Sequence, residues 1–460
     1  MAWFAAFLGL LVVGCGSSPV AAQGNGTRTR VRVQASGDDG WIGGSPMHTR
    51  VVVGEDGETY VGVWLEAPDQ TPAATERAPM ALSLVIDTSG SMSGEKITHA
   101  RMAAQSLLES LSDGDLVSIY GFSDQVVEIA PPTVVGAETR PSLMGRITHL
   151  NARGGTALYG GLRVGIDGMR QVTGAHPVRR VVVISDGHAN IGPSDPVSMG
   201  NLAAQGTEWG AQVTTIGVGL GYDEHTLGEM AVRSAGRLYH LGESSQMAAI
   251  LRQELNLLAR TVATDAHLEI VPAPGVRILG SKTPGAEVRG DKVRVKLGSV
   301  HAGQEREVLL RAELDTSRPG ERPVGTARLV YRKPNGGAAP VVQRKRLAYH
   351  VTRDRAAARR SRASRVAAMV AGYEAAEAQR RAAQHLNSGD GRAAASELEQ
   401  AERKLRSAAA QAPAPVRKKL ERRARSVGGA ARRARSVRSA SEGRGAALEA
   451  HDSAMEAVGF

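Results

Sequence analysis

The pattern of apolar residues divides the chain into four successive stretches. Over 28–78 they alternate with polar ones in short runs, Thr29–Gln34, Arg50–Val53 and Thr59–Leu65, separated by turns such as Gly54-Glu55-Asp56-Gly57. Period-two alternation puts successive side chains on opposite faces, which predicts antiparallel strands with one wet face. Over 79–261 the runs become predominantly apolar: Leu82–Ile86, Val117–Phe122, Arg180–Ser185 and Val213–Val218 alternate with helix-like stretches. In Lys96–Leu111, for instance, Ile97, Ala100, Ala104, Leu107, Leu108 and Leu111 recur near a period of 3.6. Strands apolar on both faces, with helices between them, predict an α/β fold of Rossmann type, a mainly parallel sheet covered on both sides.

Over 264–351 period two returns, in His267–Val271, Val276–Leu279, Lys292–Leu297, Glu307–Leu314, Gly325–Tyr331 and Arg344–His350. Three strands ahead of the α/β region make a thin sheet alone. Segments 28–78 and 264–351 are therefore expected to pair as one β-sandwich of about nine strands, with the α/β unit inserted in it. The last stretch is rich in Ala, Arg, Glu and Gln, a helical composition. A helical hairpin is expected over 353–411, turning at Asn387-Ser388-Gly389-Asp390-Gly391, where N-cap chemistry is present. It resembles a single tetratricopeptide unit. A basic helical tail is expected over 412–460.

Aromatic residues are only 3% of the chain, so its cores have to be built from Val, Leu, Ile and Ala. The net charge of +11 is local: residues 1–352 carry 34 basic and 34 acidic side chains, and 353–460 carry 23 and 12. The basic excess reads first as a solvated helix face, and next as a contact for anionic lipid or envelope polymer. A nucleic-acid partner is not expected, because no aromatic side chains interleave the arginines.

The single cysteine, Cys15, follows an apolar run over 2–14 that is shorter than the roughly 20 residues needed to span a bilayer. The run fits the core of a signal peptide ending at Cys15. Val12-Val13-Gly14-Cys15, followed by Gly16-Ser17-Ser18, resembles a bacterial lipobox, although no Lys or Arg precedes the run. The resemblance implies cleavage before Cys15 and acylation of that residue, and Gly16 implies the outer rather than the inner membrane. Residues 16–27 then serve as a flexible tether. The expected location is the bacterial cell envelope, lipid-anchored and facing the periplasm or the cell surface.

The candidate chemistry lies at strand ends. Asp87-Thr88-Ser89-Gly90-Ser91 follows directly on Leu82–Ile86 and offers one carboxylate and two hydroxyls. Such hard oxygen donors suit Mg²⁺ or Mn²⁺. Thr156, after Gly154-Gly155, offers another hydroxyl, and Asp186 another carboxylate at the end of Val181–Ser185. Asp124, Asp223 and Glu224 are expected to be loop or cap residues and His188 a rim residue.

In order and spacing, DTSGSMSG, GGTALYGGL and VVVISDG resemble the metal-ion-dependent adhesion site of von Willebrand factor A domains. The likeness covers about 80–260. It is strongest to bacterial secreted homologues of calcium-activated chloride-channel proteins. The resemblance implies that Ser89, Ser91 and Thr156 contact the metal directly or through water. Asp87 and Asp186 would orient bound waters. Mg²⁺ is the implied cofactor, with Mn²⁺ or Ca²⁺ as alternatives, and a protein partner would donate an Asp or Glu to the open position.

Several function classes lose support. There is no GxSxG, no HExxH and no phosphate-binding GxxxxGK[ST] loop, so an enzyme is not expected. No second apolar stretch long enough to span a membrane occurs, so the chain does not form a pore alone. The expectation is an envelope adhesion or scaffold module. The alternative is a subunit of a larger envelope complex working beside a separate ATPase or channel chain.

Overall fold

The computed structural model describes residues 34–35, 40–70, 77–172, 174–336 and 339–460. Cys15, the tether and most of Thr29–Gln34 lie outside the described residues.

Residues 80–259 form the α/β unit. Its six strands lie in the order Leu238–Leu241, Ala211–Val218, Val178–Ser185, Met80–Asp87, Leu116–Phe122, Val126–Val134. Neighbours are parallel except for the last pair. Val126–Val134 was not expected as a strand: it is a largely exposed edge carrying Pro131 and Pro132, so it lacks the apolar signature of the others. Leu238–Leu241 is too short for periodicity to reveal it.

The central strands show why their residues were legible. Val181 and Val183 face one side, with Leu162, Ile166, Met199 and Leu227. Val182 and Ile184 face the other, with Ile97, Leu107, Met247 and Leu251. Alternate residues thus enter two separate cores, and both have to be apolar. Burial of each such side chain contributes about 1.5–3 kcal/mol. The last helix, Met247–Ala259, is also fixed by a buried polar group. Glu254 accepts hydrogen bonds from Thr214 Oγ1 at 2.7 Å and Tyr239 Oη at 2.9 Å, and pairs with Arg180 Nε at 3.2 Å.

The chain on either side of this unit contributes strands to two further sheets. One holds Arg277–Ser281, Glu305–Glu313, Glu58–Glu66 and Ile42–Pro46 in that order. The other runs Gln34–Ala35, Val341–Thr352, Gly320–Arg332, Thr261–Pro272, Lys292–His301, Ala286–Arg289, with Arg50–Val52 also on Val341–Thr352. Val61, Val63 and Leu65 from before the α/β unit share one core with Leu268, Val295, Val308 and Leu329 from after it. Ile42–Pro46 (IGGSP) reads as a turn in sequence, but Gly43 lies under the Trp64 indole, where a Cβ would come within 2.2 Å of Nε1.

The C-terminal region differs from its expectation. Residues 412–460 are not a separate tail but two packed helices, Ala414–Ser436 and Ala440–Ala457, which join Ser364–Asn387 and Gly391–Ala410 in an antiparallel bundle. Leu420, Ala424, Val427, Ala431 and Ala434 are buried at alternating spacings of four and three. Small alanines between arginines hid that stripe. Several of the basic residues are engaged, as in Arg435–Glu399 (2.6 Å), Arg433–Glu449 (3.1 Å) and Lys419–Glu305 (2.8 Å). The final helix also meets the α/β unit, with Leu448, Ala454 and Met455 sharing a core with Leu227 and Leu238.

Candidate metal centre

The strand Met80–Asp87 lies mid-sheet, and the chain leaves it toward Leu116–Phe122 on one side and later Val178–Ser185 on the other. Its carboxyl end is therefore a topological switch point, the usual ligand position in open α/β sheets. Three loops meet there. Gly90 N donates to the Gly154 carbonyl at 3.0 Å, and Arg153 N donates to the Thr88 carbonyl at 2.7 Å, which fastens the first loop to the second.

Asp87 is fully buried. Its Oδ1 accepts from Ser89 N at 2.8 Å and its Oδ2 from Ser185 Oγ at 2.7 Å. Burial pushes its pKa upward, hydrogen bonds from Ser185 and Ser89 oppose this, and the nearby charge of Asp186 adds to the rise. Ser89 Oγ and Ser91 Oγ are 3.0 Å apart, and Ser91 Oγ donates to Asp186 Oδ1 at 2.7 Å. The other Asp186 oxygen, Oδ2, accepts from Lys96 Nζ, whose ammonium also lies 3.3 Å from the Ser91 carbonyl. Thr156 is buried, and its hydroxyl makes no hydrogen bond among the described residues. A methyl group built on Gly187 would lie 3.6 Å from Ser91 Oγ and 4.0 Å from Thr156 Oγ1. The two hydroxyls therefore border one small space beside Gly187.

The structure thus brings Asp87, Ser89, Ser91, Thr156 and Asp186 to one end of the sheet. Cys15 lies outside the described residues. Among the described residues no group of three His, Cys, Asp or Glu side chains is placed to share a metal. A cation here would rest on hydroxyls and two carboxylates, the oxygen-only chemistry that suits Mg²⁺. The donor set fits such an ion on two observations: the Ser91 and Thr156 hydroxyls border one small space, and an ammonium already occupies Asp186 Oδ2.

Four residues of the site were not read from sequence. Ser185 braces Asp87 and Lys96 neutralises Asp186. Asn190 holds the Thr156 backbone from both sides, Oδ1 accepting from Thr156 N at 2.7 Å and Asn190 N donating to the Thr156 carbonyl at 3.2 Å. Asp124, expected as a plain loop residue, accepts from Gly155 N at 2.6 Å. Gly154 has φ +68° and a Cβ there would lie 2.0 Å from Asp124 Oδ2, so both backbone and space demand glycine. For Ser185, Asp124 and Asn190 a polar residue at or shortly after a strand end was the only signal available, and Lys96, on the following helix, had none. Asp223 caps the helix Glu224–Ser234, and His188 is exposed. A cleft of about 780 Å³ bordered by Arg179 and Ala211 opens at the amino ends of their strands, away from this centre.

Comparison with known proteins bears on the α/β unit that carries these residues. A family model described as the von Willebrand factor type A domain matches residues 82–188. An uncharacterized protein of Synechocystis is 28% identical over 274 residues, covering 57% of this chain and 63% of the relative. The chain spans less than two thirds of the length of the curated relatives it matches first. Among solved structures, a von Willebrand factor type A protein from Catenulispora acidiphila superposes with TM-score 0.68 at 16% identity, over 82% of this chain and 88% of that one. The ArnB paralog VWA2 from Sulfolobus acidocaldarius gives 0.59 at 15% identity, over 91% and 98%. At such identities these two likenesses concern fold alone. The family model, the switch-point site and the shared fold together make the segment around residues 82–188 a von Willebrand factor type A domain.

Proposed function

We propose that this chain is a divalent-cation-dependent protein-binding module of the bacterial cell envelope. Von Willebrand factor type A domains generally mediate protein–protein interaction, and the finer reading rests on the site. The observation that carries it is the convergence of the Thr156 hydroxyl with the Ser89–Ser91–Asp186 chain on one small space at the mouth of the sheet. Ser89, Ser91 and Thr156 hold the ion, Mg²⁺ ahead of Mn²⁺ or Ca²⁺, while Asp87 and Asp186 orient its waters. A bound divalent ion supplies a position for a carboxylate oxygen, and few charged protein donors leave it short of negative charge. Lys96 is the group that yields Asp186 to it.

The surroundings favour a macromolecular partner. Ile191, whose N donates to the Thr156 carbonyl at 3.4 Å, and Leu220, beside the Gly221 that packs on Asp186, are 37% and 38% exposed. A partner that brings an Asp or Glu flanked by apolar residues would cover both. The reading involves binding and no chemical step. Anchoring through an acylated Cys15, and contact of the exposed Lys418, Arg422, Arg425 and Arg432 with anionic envelope polymer, complete it.

The test is capture of partner from envelope extract by the full chain in Mg²⁺. Retention that is released by EDTA and abolished by Asp87→Ala, in a variant that melts like the parent, is the expected result. Retention undiminished in EDTA overturns the reading.

A further inference from the structure

The final helix sends one side chain to the loop that backs the candidate metal centre. Strand Ala211–Val218 is followed by Gly219-Leu220-Gly221-Tyr222 and then by the helix Glu224–Ser234. Gly221 lies against the site: a Cβ there would be 3.0 Å from the Asp186 carbonyl oxygen. Arg444 reaches this loop from 222 to 224 residues later in sequence. Its Nε donates to the Leu220 carbonyl at 3.2 Å and its Nη2 to the Tyr222 carbonyl at 2.7 Å, straddling Gly221. Nη1 and Nη2 also donate to Glu224 Oε1 at 2.8 Å and Oε2 at 2.6 Å, and Nη1 to Asn387 Oδ1 at 3.3 Å.

A guanidinium has five N–H donors, and these contacts use all of them. Asn387 Nδ2, on the helix Ser364–Asn387, donates to Glu224 Oε1 at 3.3 Å, so two bundle helices hold the same carboxylate. Burial would raise the Glu224 pKa, but the Arg444 hydrogen bonds and charge outweigh it and hold it at about 2. The loop is pinned from below as well, because Tyr222 is buried with its Oη 3.2 Å from His240 Nδ1. Leu220 reaches the same helix, where a Cβ on Gly445 would lie 3.7 Å from its Cδ2.

We propose that Arg444 is a positioning residue for the metal centre: the C-terminal bundle clasps the loop 219–222 and thereby holds the Asp186 backbone in its place. Cation affinity then depends on whether the bundle is docked. This deepens the reading of the site given above and rests on it for the affinity consequence. Lysine has one charged point and no planar fork, so it cannot reach both carbonyls and the bidentate carboxylate together.

The experiment uses the full chain with Mn²⁺ alone as probe, in titration calorimetry, alongside amide hydrogen exchange on the metal-free protein. Arg444→Ala is expected to weaken Mn²⁺ binding about tenfold, the scale of losing an outer support, and Arg444→Lys by less. Exchange should quicken at 186–188 and 219–222 while the bundle core Leu398–Leu405 stays protected. Should Arg444→Ala fold poorly, Arg444→Lys and Glu224→Gln carry the same comparison. Unchanged exchange at 186–188 in variants with a loosened 219–222 loop overturns the clasp. Parent protein that binds no Mn²⁺ overturns the metal reading instead, and the exchange data then decide the clasp on their own.

Discussion

The α/β unit and the C-terminal bundle are both compact and helix-rich, yet they are built from different materials. The first fills two cores with Val, Leu, Ile and Met, and its central strands have no wet face. The second is an alanine bundle, in which Leu386, Leu398, Leu405, Leu420 and Val427 are the bulky members of a core otherwise made of small side chains. Alanine lets helices approach closely but buries little area per residue. The α/β unit is thus stabilised mainly by its own interior. The bundle leans on a few leucines and on what it docks against, through Leu448, Met455 and Arg444.

The largest effect that could break this contrast is in the bundle. Leu398 is fully buried there, and Leu398→Ala should lower stability by about 2–5 kcal/mol in denaturant unfolding. A loss below 1 kcal/mol, roughly one buried CH₂, would mean that the leucines do not carry the bundle. In the α/β unit the sharper test is of function without fold. Thr156→Val keeps the shape and removes the unpartnered hydroxyl, so Mn²⁺ affinity should fall about tenfold while the melting temperature stays within a degree or so. An unchanged affinity in calorimetry would remove Thr156 from the site.

Those residues show what sequence could and could not convey. Asp87, Ser89, Ser91, Thr156 and Asp186 were legible because each stands just past a buried strand or glycine pair, where side chains leave the sheet together. The central strands were legible because burial on both faces makes them mostly apolar, with only a few bonded polar residues such as Thr214 and Arg180. Val126–Val134 and Ile42–Pro46 were not, since an exposed edge and a glycine pair under an indole obey local constraints instead. The docking of 412–460 was hidden because alanine is ambiguous between surface and core. Lys96 and Arg444 were hidden for a different reason: their roles depend on contacts 90 and 220 residues away, to which no local spacing points.

Smaller effects refine the contrast. Lys96→Met removes the ammonium competing for Asp186, a pair whose carboxylate is buried, so Mn²⁺ affinity should rise by at least about threefold, the scale of an exposed pair. A fall would make Lys96 a helper of the site. The junction between the two regions has its own pH signature. Burial raises Asp452, on the final helix, from 3.8 to about 7, with Glu456 and Glu449 adding to the rise. Between those values the folded state keeps a proton that the unfolded chain has released, so stability falls as pH rises from about 4 to 7. Burial depresses the adjacent His451 to about 4, so its contribution runs oppositely, lost as pH falls from 6.5. Asp452→Asn should remove the downward slope toward pH 7 in unfolding curves; an unaltered slope would place its source elsewhere.

The account depends on oxygen donors from three loops sharing one cation. The direct measurement is anomalous diffraction from a crystal soaked in Mn²⁺. A single peak in the space bordered by Ser89, Ser91, Thr156 and Asp186, with Lys96 withdrawn from Asp186, is the predicted result. A soaked crystal with no peak there, and the Lys96 contact intact, would contradict the metal-dependent reading and leave the fold alone standing.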